Sequence, residues 1–189
     1  EVLKQVPGST AWRALFAALL VLAVVVVLWA VFMAPDATQR LPVWPRATIA
    51  GVGATESDHG RHGGSRLDEG GTAVPGIFGV ALDGEGVALV PDSDGGEIDG
   101  DAEADRAVGP MQFIPQAWRN WHVDGGGDGV EDPQNIDDAV LATANYLCRA
   151  STAYETEDGW RAGIRSYNSP EFYLGTVADY AISYTEAAE

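Results

Sequence analysis

Residues Ala14 to Ala34 are 21 consecutive residues without a charge, a proline or a glycine. As a helix rising 1.5 Å per residue, such a run spans roughly 30 Å, the hydrocarbon thickness of a bilayer. A core helix of a soluble domain would keep a polar face, and this run has none. A cleaved signal peptide is the rival reading, but its apolar stretch is shorter and ends at a small-residue cleavage site, and none follows Met33. The run is therefore expected to be a retained anchor. Lys4 and Arg13 precede it and Arg40 follows. With almost nothing N-terminal to translocate, that bias places the N-terminus inside and the bulk of the chain outside. The expected organisation is a short cytoplasmic segment (1–13), a transmembrane anchor (14–34), a proline-containing tether (35–45) and a folded domain (46–189). The protein would be a single-pass cell-membrane protein with its domain extracytoplasmic and close to the membrane.

The charge excludes several partners. There are 28 acidic against 11 basic side chains, for a net charge of −17, and only one lysine. Nucleic acid is not expected as a partner, nor a polybasic grip on anionic lipid, because both need clustered cations. A single cysteine, Cys148, excludes an internal disulfide framework and is expected to be a small buried apolar residue.

Beyond the tether the pattern is helical at both ends of a Gly- and Asp-rich middle. Pro45 can open a helix in which Ile49, Val52, Gly53 and Glu56 share one face. GIFGVAL (76–82) and GVALVP (86–91) suggest a small hairpin. Pro115 can open a helix bearing Trp118 and Trp121. Ile136, Val140, Ala144 and Leu147 align on another, and Trp160, Ile164 and Tyr167 on the next. Ser169 and Pro170 suit the cap and first position of a last helix, with Tyr173, Val177, Tyr180 and Tyr184 on one side. The expectation is a mostly α (α+β) domain of five helices with a minor β element.

Three places carry candidate chemistry. Glu56 falls on the face that Ile49 and Val52 would bury, and lost hydration raises a carboxyl pKa. A carboxylic acid still protonated near neutral pH is what glycosidic cleavage asks of a general acid. The alternative is a solvated residue at a fraying helix end. AVGPMQFIP (107–115) forces a turn at Gly109-Pro110 and offers the Gln112 amide between Met111 and Phe113. That surface suits a sugar, although core packing explains it as well. In RSYNSPEFY (165–173), Tyr167 and Asn168 end one helix before the next begins, so both could face a groove. Asn168 would equally serve as a left-handed cap.

At these places the chain resembles the lytic transglycosylases of the murein transglycosylase B type, within the goose-type lysozyme-like superfamily. The matching stretches are GVGATESDHGR (51–61), LVPDSDGGEIDGDAEADRAVGPMQFIPQAW (89–118), DGVEDPQNIDDAVLATANYLC (128–148) and WRAGIRSYNS (160–169). The resemblance implies a lysozyme-like helical domain that cleaves peptidoglycan glycan strands between N-acetylmuramic acid and N-acetylglucosamine. It implies that Glu56 is the sole catalytic acid and base, with no second carboxylate and no required cofactor, leaving 1,6-anhydromuramic acid ends. By the same resemblance Ser57 orients Glu56, Met111 and Gln112 line the cleavage subsites, and Tyr167 and Asn168 hold the acid and the N-acetyl group. Trp118, Trp121, Tyr146 and Tyr173 are candidates for stacking on sugars. Two rival functions stay open: a hydrolytic muramidase, and a non-catalytic peptidoglycan-binding protein. The sequence departs from the family in having only the tether between anchor and Glu56 helix, where further helices are common.

Asp124 to Asn135 compares with a calcium-binding EF-hand loop. Asp124, Asp128 and Asp132 stand at ligand positions one, five and nine, and Val130 would offer its carbonyl at seven. Gly126 fails at three, and Asn135 replaces the bidentate Glu. Some relatives carry such a site, so calcium is a candidate ligand of Asp124, Asp128, Val130 and Asp132. The acids of 83–105 read as solvated turns, and His59 and His62 lack a third ligand for zinc.

Overall fold

The computed structural model describes residues 44–188. The apolar run 14–34 and most of the tether lie outside the described residues. Among the described residues no helix is long and apolar enough to cross a membrane.

Five α-helices stand among the described residues, with two small antiparallel sheets between the first helix and the second. They are α1 (Trp44–Ser57), α2 (Pro115–Trp121), α3 (Ile136–Ala150), α4 (Glu157–Tyr167) and α5 (Glu171–Ala187). The mixed α+β class follows, with helix dominant. Strand β1 (Arg66–Leu67) pairs with β2 (Ala73–Val74), and β3 (Phe78–Ala81) with β4 (Arg106–Val108).

The helix starts follow their capping chemistry. Asn135 caps α3, its side chain accepting from the amides of Asp137 (2.9 Å) and Asp138 (3.5 Å). Thr156 caps α4 through Gly159 N (3.1 Å). At α5 the expected Ser169 cap is displaced by one residue. Pro170 is the cap, with no side-chain bond, and the helix begins at Glu171.

The β region corrects the expected hairpin. The strand at 78–81 takes 106–108 as its partner, with Phe78 opposite Val108 and Ala81 opposite Arg106. Residues 86–91 return to its far end only through single bridges, Asp83 to Leu89 and Pro91 to Ala104. The acids between them explain why. Asp105 is fully buried and accepts from Ser93 N and Oγ, both at 2.8 Å. Asp99, also buried, accepts from Arg106 N at 2.6 Å and Asp101 N at 2.9 Å. These are not merely solvated turns: two carboxylates hold the loop's backbone together from inside.

The core gathers Val52, Met111, Phe113, Trp118, Leu147, Trp160, Ile164, Tyr173, Leu174 and Val177. Helix α1 lies closest to α5. A Cβ on Gly51 would stand 2.7 Å from the Val177 carbonyl oxygen, so only glycine permits this crossing. Trp160 of α4 ties the start of α1 into the same core, its Nε1 donating to Thr48 Oγ1 at 2.9 Å. Cys148 is exposed, against expectation. It follows Leu147, which takes the buried position of that helical turn.

Candidate active site

The end of α1 carries Glu56 and Ser57, and Tyr173 and the turn at 109–112 bond to it. Asp58, His59 and Gly60 all take positive φ (51°, 55° and 79°), a left-handed run that stops the helix immediately after Glu56 and Ser57. His59 N closes it by donating to Gly53 O at 3.0 Å. Glu56 is thereby fixed, half-buried, in the last helical turn.

Its carboxylate accepts a 2.6 Å hydrogen bond from the Tyr173 hydroxyl of α5. Burial raises the Glu56 pKa to about 7, and the Tyr173 bond opposes that rise without cancelling it. Near neutral pH the group therefore exists in both forms, able to give a proton and to take one. Burial, followed by the Glu56 charge, pushes both the Tyr173 and Tyr167 phenols well above their ordinary range, so both remain proton donors.

Ser57 is buried, with its hydroxyl bonded to backbone groups. It donates to Pro110 O at 2.6 Å and accepts from Gly60 N at 2.8 Å. The oxygen thus joins the end of α1 to the turn at 109–112. Gly109 in that turn has φ 78°, and a Cβ there would fall on the Pro133 carbonyl. Met111 is fully buried, its carbonyl accepting from Tyr167 OH at 2.7 Å. Gln112 is half-buried with φ 53°, and its carboxamide donates to Gly109 O at 2.9 Å.

Tyr167 is half-buried among aromatic rings, edge-on to Phe113 (centroids 5.8 Å apart) and Tyr146 (5.2 Å). Asn168 is exposed at the end of α4 with φ −149°, extended rather than left-handed. Of the four candidate stacking rings, Trp118 and Tyr173 are buried, which removes their faces from a sugar. Trp121 and Tyr146 are half-buried and meet edge-on at 5.6 Å. Sequence reasoning missed the bond between Tyr173 and Glu56. The two residues are 117 positions apart, and the sequence offered Tyr173 as part of a helix face and as a sugar-stacking ring, not as a partner of the acid.

The 124–135 loop does not gather its acids toward one point. Asp124 accepts from the amides of Gly127, Asp128 and Gly129, Asp128 from Val130, and Asp132 from Gln134. Buried Asp138 organises the loop from α3, accepting from Gly125 N (2.7 Å), Gly126 N (3.1 Å) and Asp132 N (2.9 Å). Among the described residues, the carboxylates that approach one another are Asp92, Asp94 and Asp105 instead. Asp105 is spent on Ser93, and Asp92 on the amides of Asp94, Gly95 and Gly96.

With this geometry in view, comparison with known proteins gives one family. Residues 104–181 match the family described as Transglycosylase SLT domain. The match supports a lytic transglycosylase-type family and, in general terms, a peptidoglycan-cleaving enzyme. It spans Met111, Gln112, Tyr167, Asn168 and Tyr173, while Glu56 and Ser57 precede it. No curated protein and no solved structure gives a match.

Proposed function

We propose that this chain is a membrane-anchored lytic transglycosylase of the B type, cleaving peptidoglycan without water and with Glu56 as its single acid and base. The observation that carries the reading is the Glu56 carboxyl, raised to about 7 by burial and held by Tyr173. It stands beside a turn, 109–112, that falls inside the matched family segment.

In the proposed reaction, protonated Glu56 gives its proton to the oxygen linking muramic acid C1 to the next N-acetylglucosamine. As that bond breaks, the muramic acid C6 hydroxyl closes on C1, and the Glu56 carboxylate takes the hydroxyl proton. The enzyme returns to its starting form, the departing sugar has a free hydroxyl, and the other end is a 1,6-anhydro ring. Tyr173 fixes the carboxyl for both transfers. Gln112 and Asn168 are proposed to meet the sugar's polar edges, and Tyr167 to hold its place through Met111 O. Ser57 would act from beneath, by fixing the turn. No cofactor enters.

A hydrolytic muramidase would need a second carboxylate to activate water, and the chemistry of the product ends separates the two readings. The apolar run 14–34 is proposed to keep the domain at the outer face of the cell membrane. Its test is fractionation: the full chain should resist alkaline extraction from membranes, and release into the soluble fraction would contradict anchoring.

Replacing Glu56 with Gln keeps the shape but neither donates nor recovers a proton. Glu56→Gln should abolish release of soluble muropeptides from peptidoglycan, while the unmutated chain yields products lighter by one water than hydrolysed ends. Retention of most activity by the variant would overturn the assignment. Glycan binding without any product would favour the binding protein.

A further inference from the structure

The α1 face that ends at Glu56 borders a second feature. Arg46, Ile49, Ala50 and Gly53, spaced as one helical face, line a cavity of about 310 Å³. Ile136 and Val140 of α3 form the opposite wall, and His59 and Met111 complete the lining. The latter two mark the level of Gly53, where a Cβ would lie 3.3 Å from both His59 Nδ1 and Met111 Sδ. Glu56 follows one turn later. From Glu56 back to Arg46 the helix covers ten residues, roughly 15 Å. The size lies at the lower end of the range for ligand cavities, about 300 Å³ and upward.

Its chemistry does not suit a sugar. A hexose asks for hydrogen-bonding groups around its edge, and these walls are aliphatic. Of the two polar side chains, His59 already holds the Tyr184 hydroxyl through Nε2 at 2.7 Å. That leaves Arg46, exposed and without an ion pair among the described residues. In a chain of net charge −17, this cavity has an arginine and, among the described residues, no carboxylate in its lining. It is an aliphatic slot with one exposed cationic side chain in its lining.

We infer that the cavity between α1 and α3 binds the peptide stem carried on the muramic acid lactyl group, with Arg46 pairing a stem carboxylate. The inference rests on the proposed peptidoglycan substrate and adds what that reading leaves open: the enzyme prefers glycan that still bears its peptides. A stem of small aliphatic and acidic residues matches both the aliphatic walls and the cation, and it branches from the sugar ring on which Glu56 would act. Arg46 is then a specificity residue, distinct from the groups that move the proton.

Two measurements on the full chain test this. A synthetic lactyl-tetrapeptide, acidic and free of sugar, is titrated calorimetrically into the protein and into Arg46→Ala and Arg46→Lys. Saturable binding is expected, weakened about tenfold or more by Arg46→Ala and partly restored by Arg46→Lys. Steady-state cleavage is then compared on peptide-bearing glycan and on glycan stripped by an amidase. Arg46→Ala should raise KM on the first by a similar factor, with kcat and the stripped-glycan KM little changed. The inference is overturned if the peptide does not bind, or binds the Ala variant equally. It is also overturned if KM rises alike on both polymers, which would make the cavity a sugar site. Peptide binding that depends on Arg46, with neither polymer cleaved, would uphold this inference and defeat the lyase reading instead.

Discussion

At the scale of single residues the account turns on two side chains, Glu56 and Tyr173. Burial raises the Glu56 pKa to about 7, above its ordinary value of 4.5, so the native state disfavours the ionised form. Below about pH 4.5 the carboxyl is protonated in both native and unfolded chains, and nothing is lost. As pH rises toward 7 the unfolded chain ionises freely and the native one does not, so the native state loses stability across that window. Glu56→Gln escapes this cost. The variant should match the parent in thermal melts near pH 4 and exceed it by up to about 3 kcal/mol at pH 8. A parent that is the more stable at pH 8 would contradict a buried, raised carboxyl. Tyr173→Phe removes the bond that favours the charged form, so the Glu56 titration should move to higher pH. The alkaline limb of the activity profile should move with it, and the rate should fall roughly ten- to a hundredfold as the carboxyl loses its fixed position. An unchanged limb would mean that Tyr173 does not govern Glu56. The acid itself was legible in the sequence, because helical spacing put it on a buried face beside Ile49 and Val52. Tyr173 was legible only as a helix-face residue and a candidate stacking ring, since no local signal reports a bond spanning 117 residues.

Among the elements, two devices hold the site's geometry. The first is the close crossing of α1 and α5 at Gly51, which brings Glu56 against Tyr173. Gly51→Val would force the helices apart at the Val177 carbonyl. Denaturant unfolding should show about 2 kcal/mol of lost stability, with activity falling alongside. The second is the Ser57 hydroxyl, which satisfies Pro110 O and Gly60 N together. Ser57→Ala strands both buried groups and should cost about 1–3 kcal/mol by the same measurement, while leaving the Glu56 titration nearly in place. The helices were legible because 3.6-residue periodicity and capping residues are local signals. The hairpin was misread because strand partners are chosen by long-range packing. Asp99 and Asp105 draw 86–105 into their own turns, and β3 is left to 106–108. In the 124–135 loop, whose acids match a calcium pattern in sequence, Asp124 and Asp128 accept from the loop's own backbone amides. Chelation before assay should leave the cleavage rate unchanged, and a rate lost on chelation and restored by added calcium would show that the enzyme uses the metal.

On the scale of the whole molecule, an acidic domain with one half-buried carboxyl raised to about 7 follows a 21-residue apolar run that lies outside the described residues. DRAVGPMQFIP falls inside the segment that matches the transglycosylase family, and the helix-dominated α+β class was readable beforehand because helical spacing is a local signal. The cavity beside Arg46 was not, since its walls come from α1, α3 and two loops brought together only by folding. The central claim, one carboxyl moving one proton out and back without water, is tested most directly by digesting peptidoglycan in heavy-oxygen water and weighing the released muropeptides. The account predicts 1,6-anhydro ends carrying no heavy oxygen, made by the unmutated chain and not by Glu56→Gln. Reducing ends that carry the heavy oxygen would contradict it and identify a muramidase.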